Sequence, residues 1–272
     1  MTSGKAKRID DLFRRLRKER RCGFIAYVTC GDPSIDATVE IIRAVAEAGA
    51  DAIELGVPFS DPIADGPTIQ AASQRALAHG TTLGHCLDVA RRVREKTDIP
   101  LILFSYLNPL MRYGFDRLAK DAAESGVDSI LVTDLPPEDA TDLRKAMKGE
   151  GLGIVFLLAP TSSKKRISSV DKASTSFIYY VSTTGVTGAR NDLDSSLLER
   201  LDEIRESVRK PLAVGFGVSK HEHYRMLAGR CSAVVVGSAI VRAIDDGGAE
   251  GAADRAASVV RSIVDGERDA AG

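Results

Sequence analysis

Residues 47–55 read EAGADAIEL, a stretch in which a helix ends at a glycine and a short apolar strand begins after a tight turn. The same passage returns as ESGVDSILV at 124–132 and, more weakly, as AGRCSAVVV at 228–236. Short apolar runs rich in β-branched residues are typical of parallel strands that are buried on both faces. The repeat therefore predicts a chain built from strand–helix units.

Eight strands of this kind can be marked along the chain, with amphipathic helical patterns between them. Their predicted bounds are 23–30, 51–58, 100–107, 128–134, 153–160, 176–183, 211–218 and 232–240. Eight such units in about 250 residues predict a (β/α)8 TIM barrel of the α/β class. A doubly wound open sheet is the alternative, but the GxGxxG motif that usually follows its first strand is absent from the sequence.

One domain is predicted over 1–272, with an extra helix at about 8–21 and the barrel at about 23–265. The extra helix lies in the basic stretch KAKRIDDLFRRLRKERR, which also suggests a transit peptide or an RNA-binding arm. Its apolar residues nevertheless recur at helical spacing, at Ile9, Leu12, Phe13 and Leu16. We therefore expect an amphipathic helix that covers one end of the barrel.

The composition argues against several classes of function. The formal net charge of −1 offers no basic footprint for nucleic acid or for an anionic membrane surface. No apolar run is long enough to span a bilayer, and the N-terminus has no signal-peptide core. Four cysteines without CxxC spacing are typical of reduced core residues, so we expect a cytoplasmic protein without a disulfide framework.

Two acids lie where a barrel carries its chemistry, at the carboxyl ends of the strands and in the loops that follow. Glu54 is late in the second predicted strand, and Asp65 is in the loop after that strand. A carboxylate on a buried strand is costly unless it is paired or used. Both residues are therefore candidates for acid–base chemistry at one mouth of the barrel.

Three glycine-rich stretches follow the last three strands: TTGVTGARND at 183–192, GFGVS at 215–219 and GSAIV at 237–241. Glycine lets backbone N–H groups approach an anion, and a helix N-terminus adds a favourable dipole. Tight turns needed only for packing are the alternative for any one stretch, but three on adjacent units favour a phosphate site. The lack of a lysine in this site fits one phosphate monoester better than a triphosphate.

Other catalytic groups are not evident. The histidines His79, His85, His221 and His223 do not fall at strand ends, so no metal site is predicted. A Schiff-base lysine is also lacking, because Lys220 is expected at the start of a surface helix. Carbon–carbon cleavage then requires a substrate that supplies its own electron sink, and an indole ring protonated at C3 is such a substrate.

Five motifs together resemble the tryptophan synthase alpha subunit family over about residues 9–260, in one register. They are IELGVPFSDPIADGPTIQ, SYLNPL, STTGVTGAR, GFGVS and GSAIV. The resemblance implies cleavage of indole-3-glycerol phosphate to indole and D-glyceraldehyde 3-phosphate in tryptophan biosynthesis, with no cofactor in this chain. It also implies docking to a beta subunit that carries pyridoxal phosphate, in a heterotetramer of two alpha and two beta subunits that passes indole between sites.

By position, Glu54 resembles the family's general acid–base residue, and Asp65 resembles the acid that binds the indole N–H. The positions that resemble substrate-binding residues are Tyr27, Phe104, Leu131, Tyr179, Thr187 and Phe216, with Leu157 also in the apolar indole wall. The positions that resemble phosphate-binding residues are Gly188, Gly217, Gly237 and Ser238. Thr187 would contact Asp65 when the loops at 59–67 and 184–194 close.

The sequence departs from the family pattern at a few positions. Tyr27 stands where a Phe is typical, and Phe104 and Thr133 replace smaller or more apolar side chains, which affects the pocket rather than the reaction. Asp61 is interpreted as a residue that shapes its loop. Asp134, at the end of the fourth predicted strand, is interpreted either as a loop-ordering or as a partner-coupled residue.

Two other functions stay open at this point. One is a stand-alone lyase that turns over without a partner, and the other is an inactive barrel that serves only as an allosteric activator of a beta subunit. The intact Glu54, Asp65 and glycine-rich loops argue against the inactive barrel. Pro62 and the segment at 108–109 are interpreted as interface positions, on the resemblance alone.

Overall fold

The structure, a computed structural model, describes residues 7–181 and 195–266. Its strands form one closed parallel barrel, in which each strand pairs with the next along the chain and the last pairs with the first. The strands are β1 (Gly23–Thr29), β2 (Ala52–Gly56), β3 (Leu101–Ser105), β4 (Ser129–Val132), β5 (Gly153–Leu158), β6 (Ile178–Val181), β7 (Leu212–Gly215) and β8 (Ala233–Val236). The closure confirms the predicted TIM barrel and excludes the open sheet.

Helices cover the outside of the barrel. They are α1 (Lys7–Glu19), α2 (Ile35–Glu47), α3 (Pro67–Ala78), α4 (Leu83–Arg94), α5 (Leu107–Tyr113), α6 (Phe115–Glu124), α7 (Thr141–Gly149), α8 (Lys164–Ala173), α9 (Ser195–Ser207), α10 (His221–Leu227), α11 (Ser238–Asp245) and α12 (Ala252–Asp265). The predicted eighth strand was too long, because it ends at Val236 and the apolar run continues into α11 after Gly237. A short apolar run does not by itself distinguish a strand from a buried helix.

Helix α1 covers the N-terminal end of the barrel, as the spacing of its apolar residues predicted. These residues are almost fully buried: Ile9, Leu12, Phe13 and Leu16. The ring of Phe13 packs against Phe177, with centroids 5.5 Å apart. Leu16 lies so close to the start of β1 that a Cβ on Gly23 would be 2.6 Å from its Cδ1 atom. The described basic residues of this stretch therefore belong to, or directly follow, a helix that packs on the barrel, and two of them form ion pairs with buried acids: Arg8 with Asp128 at 2.8 Å and Arg21 with Asp51 at 2.6 Å.

The internal repeat has a structural role: a polar side chain just before one strand accepts a hydrogen bond from the backbone at the start of a neighbouring strand. Asp51, just before β2, accepts a hydrogen bond of 2.9 Å from the backbone N–H of Phe24 in β1. Asp128, just before β4, accepts one of 2.8 Å from Leu101 in β3, and Ser232 accepts one of 3.2 Å from the first residue of β7. The glycines of the three copies have positive φ, which favours glycine: Gly49 (+114°), Gly126 (+80°) and Gly229 (+95°).

Alternate strand residues point into the barrel, where they form one apolar cluster. Its strand members are Ile25, Tyr27, Ala52, Ile102, Phe104, Leu131, Val155, Tyr179, Ala213, Ala233 and Val235. Glu54 lies between Ala52 and Gly56 on the inward face of β2. In the parallel register it is opposite Tyr27 of β1 and Ile102 of β3. The fold therefore puts one carboxyl into an otherwise apolar interior.

Candidate active site

Glu54 is buried inside the barrel. Its exposed fraction is 0%, and neither carboxylate oxygen has a hydrogen-bond partner within the described chain. Burial penalises the charged form of a carboxyl, and here it raises the pKa of Glu54 to about 8. The side chain is therefore mostly protonated at neutral pH, with its proton available to a bound molecule.

Asp65 lies in the loop between β2 and α3, half-buried in the wall of a cavity. Burial raises the pKa of its carboxyl to about 6, and a hydrogen bond from the Tyr106 hydroxyl works against this rise. The Tyr106 oxygen also accepts a hydrogen bond of 3.0 Å from the N–H of Ala64. The backbone N–H of Asp65 donates to Pro62 at 3.0 Å, and its carbonyl accepts from Gln70 at 2.8 Å. The loop thus holds a carboxyl that is mostly ionised at neutral pH.

The cavity, of about 710 Å³, opens at the carboxyl ends of the strands from β3 to β6. Its wall includes Asp65, Phe104, Thr133, Leu157 and Tyr179. A mainly apolar pocket of this size with a few polar groups is typical of a small-molecule site. It combines an aromatic surface with an ionised acid.

Glu54 and Asp65 both affect the pKa values of the same two phenols, Tyr27 and Tyr179. Burial raises the pKa of Tyr27 and of Tyr179 well above the usual range, and the negative charges of Asp65 and Glu54 raise both values further. An electrostatic effect of this kind falls off with distance. Glu54, on the inward face of β2, and Asp65, in the loop after β2, are therefore near the same two phenols, and Glu54 is the more deeply buried of the two acids.

Two glycines make room for these phenols. A Cβ on Gly56 would lie 2.2 Å from the hydroxyl of Tyr27, and a Cβ on Gly215 would lie 2.2 Å from the hydroxyl of Tyr179. Phe104 packs against Tyr27 edge to face, with ring centroids 5.2 Å apart and an angle of 82°. The aromatic lining of the mouth therefore depends on the absence of side chains at these two positions.

The predicted phosphate positions that the structure describes follow β7 and β8. Gly217 has a φ of +65°, and no atom lies within 4 Å of the position that a Cβ would take. Gly237 and Ser238 lie at the start of α11, whose first backbone N–H groups have no partner within the helix. A Cβ on Gly237 would be 3.4 Å from the Cβ of Tyr27, so this helix begins beside the same mouth.

Seven of the predicted site residues that the structure describes are not in the wall of this cavity: Glu54, Tyr27, Leu131, Phe216, Gly217, Gly237 and Ser238. Leu131 is fully buried in the barrel interior, and Thr133, two residues closer to the mouth, lies in the cavity wall instead. Phe216 is half-buried and packs against the apolar layer between the barrel and its helices. Thr187 and Gly188 lie outside the described residues.

Sequence reasoning missed Tyr106, which immediately follows β3. The available signal was its position, because polar side chains directly after a barrel strand face the mouth. Asp134 accepts a hydrogen bond of 2.7 Å from the backbone N–H of Leu107 at the start of α5, which fits the loop-ordering interpretation. Asp61 accepts a hydrogen bond from Ser60 and so helps to shape its loop.

Comparison with known proteins decides the family. The family model of the tryptophan synthase alpha chain matches residues 13–268. The chain belongs to the tryptophan synthase alpha chain family. It is 52% identical over 238 residues to the tryptophan synthase alpha chain of Solibacter usitatus, covering 88% of this chain and 89% of that protein. The Geobacter sulfurreducens tryptophan synthase alpha chain is 47% identical over 235 residues, with 86% and 89% covered.

Solved structures of the family share the architecture. Tryptophan synthase subunit alpha from Legionella pneumophila superposes with a TM-score of 0.87 at 33% identity, covering 94% of this chain and 96% of that one. A chain from the tryptophan synthase α2β2 complex of Pyrococcus furiosus superposes with a TM-score of 0.85 at 39% identity, with 89% and 98% covered. Both likenesses extend over nearly the whole barrel.

Three further features bear on the kind of site. In the part of the chain that the structure describes, no helix is long and apolar enough to cross a membrane. Within residues 7–181 and 195–266, no group of three His, Cys, Asp or Glu side chains is arranged to hold a metal ion. The four cysteines are free thiols.

Proposed function

We propose that the chain cleaves indole-3-glycerol phosphate to indole and D-glyceraldehyde 3-phosphate, as the lyase subunit of a tryptophan synthase. The observation that carries the catalytic roles is the contrast between two carboxyls at one mouth. The pKa of Glu54 is about 8 and that of Asp65 is about 6, so one is mostly protonated and the other mostly ionised at neutral pH. Family membership supports the reaction.

The mechanism uses both states. Protonated Glu54 donates its proton to C3 of the indole ring, which makes the ring a cationic indolenine. Ionised Asp65 accepts a hydrogen bond from the ring N–H and stabilises the positive charge that develops there. The electrons of the bond between C3 and the side chain then move into the ring, while the Glu54 carboxylate takes the proton of the glycerol hydroxyl. The aldehyde and indole leave, and Glu54 is again protonated.

The indole ring and the phosphate of the substrate are assigned to residues around Glu54 and Asp65. Tyr27, Phe104, Leu157 and Tyr179 would contact the indole, with Leu131 below them and Phe216 at the β7 end. The phosphate would bind at Gly217, which follows β7, and at Gly237 and Ser238, which follow β8. Gly188, outside the described residues, is proposed as a fourth phosphate-binding position. The N-terminus of α11 favours an anion there. Thr187 is proposed to contact Asp65 on loop closure.

We propose the same end of the barrel as the surface for a beta subunit. Ile63, in the loop after β2, is 87% exposed, and Met111, in α5 after β3, is 61% exposed. Exposed large apolar side chains at one end of a domain are typical of interaction sites. A related chain occurs in the α2β2 complex of Pyrococcus furiosus. Pyridoxal phosphate is assigned to the partner, which would receive indole directly.

The test is an assay of the purified chain with indole-3-glycerol phosphate, with and without a beta subunit. We expect indole release by the chain alone and faster release in the complex, together with tryptophan formation when serine is supplied. Equal turnover in both conditions would instead show a stand-alone lyase. No indole release in either, with an activated beta subunit, would show an inactive activator.

A further inference from the structure

A second cavity, of about 510 Å³, lies at the opposite end of the barrel, where α1 ends and the segments before β7 and β8 turn. Seven cationic side chains line it: Arg17, Arg20, Arg21, Arg205, Arg209, Lys210 and Arg230. No acidic side chain of the described residues belongs to its wall. Because the whole chain has a formal net charge of −1, this concentration of positive charge is local.

Only two of the seven are paired with acids. Arg21 forms hydrogen bonds of 2.6 and 2.7 Å with Asp51, and Arg230 forms an ion pair of 3.3 Å with Asp202. Arg205 donates to the carbonyl of Gly229, and Lys210 donates to that of Thr175 at 3.5 Å and is near enough to Asp10 to oppose the rise that burial causes in the pKa of that carboxyl. No side-chain ion pair or hydrogen bond is formed in the described ranges by the remaining three: Arg17, Arg20 and Arg209. Unpaired like charges held around one concave surface raise the local potential and attract a counter-ion.

The cationic side chains come from three separate parts of the chain. They project from the end of α1, from α9 and the segment before β7, and from the turn before β8. The floor between them is apolar and includes Phe13, Leu16 and Leu212. A bound anion would therefore connect the N-terminal helix to the barrel.

We propose that this cavity binds a small polyanion that carries two or more phosphate groups. Guanidinium groups pair with phosphate through two parallel hydrogen bonds, so several unpaired arginines suit more than one phosphate. The volume fits one small molecule. Single-stranded nucleic acid would need aromatic faces for stacking, and the aromatic residue of the wall, Phe13, is only 5% exposed.

The position of the cavity predicts its effect. It lies at the N-terminal end of the barrel, whereas Glu54 and Asp65 face the carboxyl end, and residues at the N-terminal end of such barrels contribute to stability. A ligand that binds only the folded state raises the free energy of unfolding. Occupancy is therefore expected to raise the Tm of the chain without being needed for cleavage.

The experiment uses inorganic pyrophosphate as the probe, with the full chain studied by calorimetric titration and thermal unfolding. The variant Arg17→Ala/Arg209→Ala removes two exposed, unpaired cations. The control Arg144→Ala/Lys145→Ala removes two exposed cations from α7, away from the cavity. We expect saturable binding that weakens about tenfold or more in the variant, as loss of charge-assisted hydrogen bonds does. The control should bind like the wild type.

Unfolding midpoints measured without pyrophosphate show whether the alanine variant is itself unstable. If it is, the titration is repeated with Arg17→Gln/Arg209→Gln, which keeps longer side chains but removes the same two charges. Equal affinities for the variant and the control, or no saturable binding at millimolar pyrophosphate, would show only a solvated charged surface and overturn the proposal. Tighter binding of a single-stranded oligonucleotide than of pyrophosphate would assign the surface to nucleic acid and also overturn it.

Discussion

Glu54 and Tyr27 are direct partners in the parallel pairing of β2 with β1. The carboxyl of Glu54 has no hydrogen-bond partner in the described structure, and the Tyr27 hydroxyl lies over Gly56, two residues further along the same face. A buried carboxyl without a partner is thus followed toward the mouth by a phenol. A group left unsatisfied in this way is typical of a functional site, because the substrate can supply the missing partner.

Replacement of Glu54 by Gln should abolish most indole release. The amide has nearly the same shape, but it cannot donate a proton to C3 or accept one from the hydroxyl. We expect turnover to fall by roughly 10²–10⁴-fold, the usual contribution of general acid–base catalysis. Steady-state indole formation measures it, and Asp142→Asn, at an exposed position of α7, is the control. Near-normal turnover would remove Glu54 from the mechanism.

The same variant should change the pH dependence of stability. The folded-state pKa of Glu54 is raised from 4.5 to about 8, so between these pH values the folded state holds a proton that the unfolded state has lost. The free energy of unfolding therefore falls as the pH rises through this window. At pH 8, Glu54→Gln should be more stable than the wild type by on the order of a few kcal/mol, and about equal near pH 4.5. Urea unfolding with parallel pH slopes for the two proteins would contradict this.

Tyr106→Phe should shift the acid limb of the activity profile. The free chain needs ionised Asp65 and protonated Glu54, so kcat/KM should be bell-shaped with limbs near pH 6 and pH 8. Because the Tyr106 hydrogen bond lowers the pKa of Asp65, its loss should move the acid limb up by about one unit and leave the alkaline limb in place. Tyr113→Phe is the control, since that hydroxyl donates to Asp121 at 2.6 Å, outside the site. An acid limb at the same pH in Tyr106→Phe and in the wild type would show that Tyr106 does not set the pKa of Asp65.

Gly56→Ala should displace the Tyr27 phenol. The new Cβ would be 2.2 Å from the hydroxyl and 2.6 Å from Cζ, which is closer than packed atoms allow. We expect a loss of about 1–3 kcal/mol in the free energy of unfolding and a higher KM. Adding Tyr27→Phe removes the nearest atom and should recover part of both, which a double-mutant cycle measures. Gly149→Ala, at the end of α7, is the control, with no atom within 4 Å of its Cβ position. Strictly additive effects of Gly56→Ala and Tyr27→Phe would argue against the contact.

The secondary structure was largely readable from the sequence because buried parallel strands are continuous apolar runs. All eight predicted strands exist, and the error at the last one arose where Gly237 interrupts an apolar run that α11 continues. The repeat of Asp51 and Asp128 was visible as well. The structural role of these two acids was not visible, because they accept hydrogen bonds from backbone N–H groups of neighbouring strands that are distant in the sequence.

The site was readable only in part. Glu54 stood out because an acid in an apolar strand is rare, and Asp65 because its loop follows that strand. Tyr106 did not stand out, because a tyrosine at the end of an apolar strand is common. The burial of Leu131 depends on how far its short strand extends toward the mouth. Contacts between side chains of different strands are set by the register and stagger of the closed barrel, which local patterns do not encode.

By itself, the sequence determined the order of strands and helices, the residue types that can carry acid–base chemistry, and the family. Only the tertiary structure decided that Glu54 is mostly protonated and Asp65 mostly ionised at neutral pH, and that seven cations surround one cavity at the far end. The physical reason is that burial and electrostatic potential sum over neighbours from distant parts of the chain. Those neighbours are brought together only when the barrel closes.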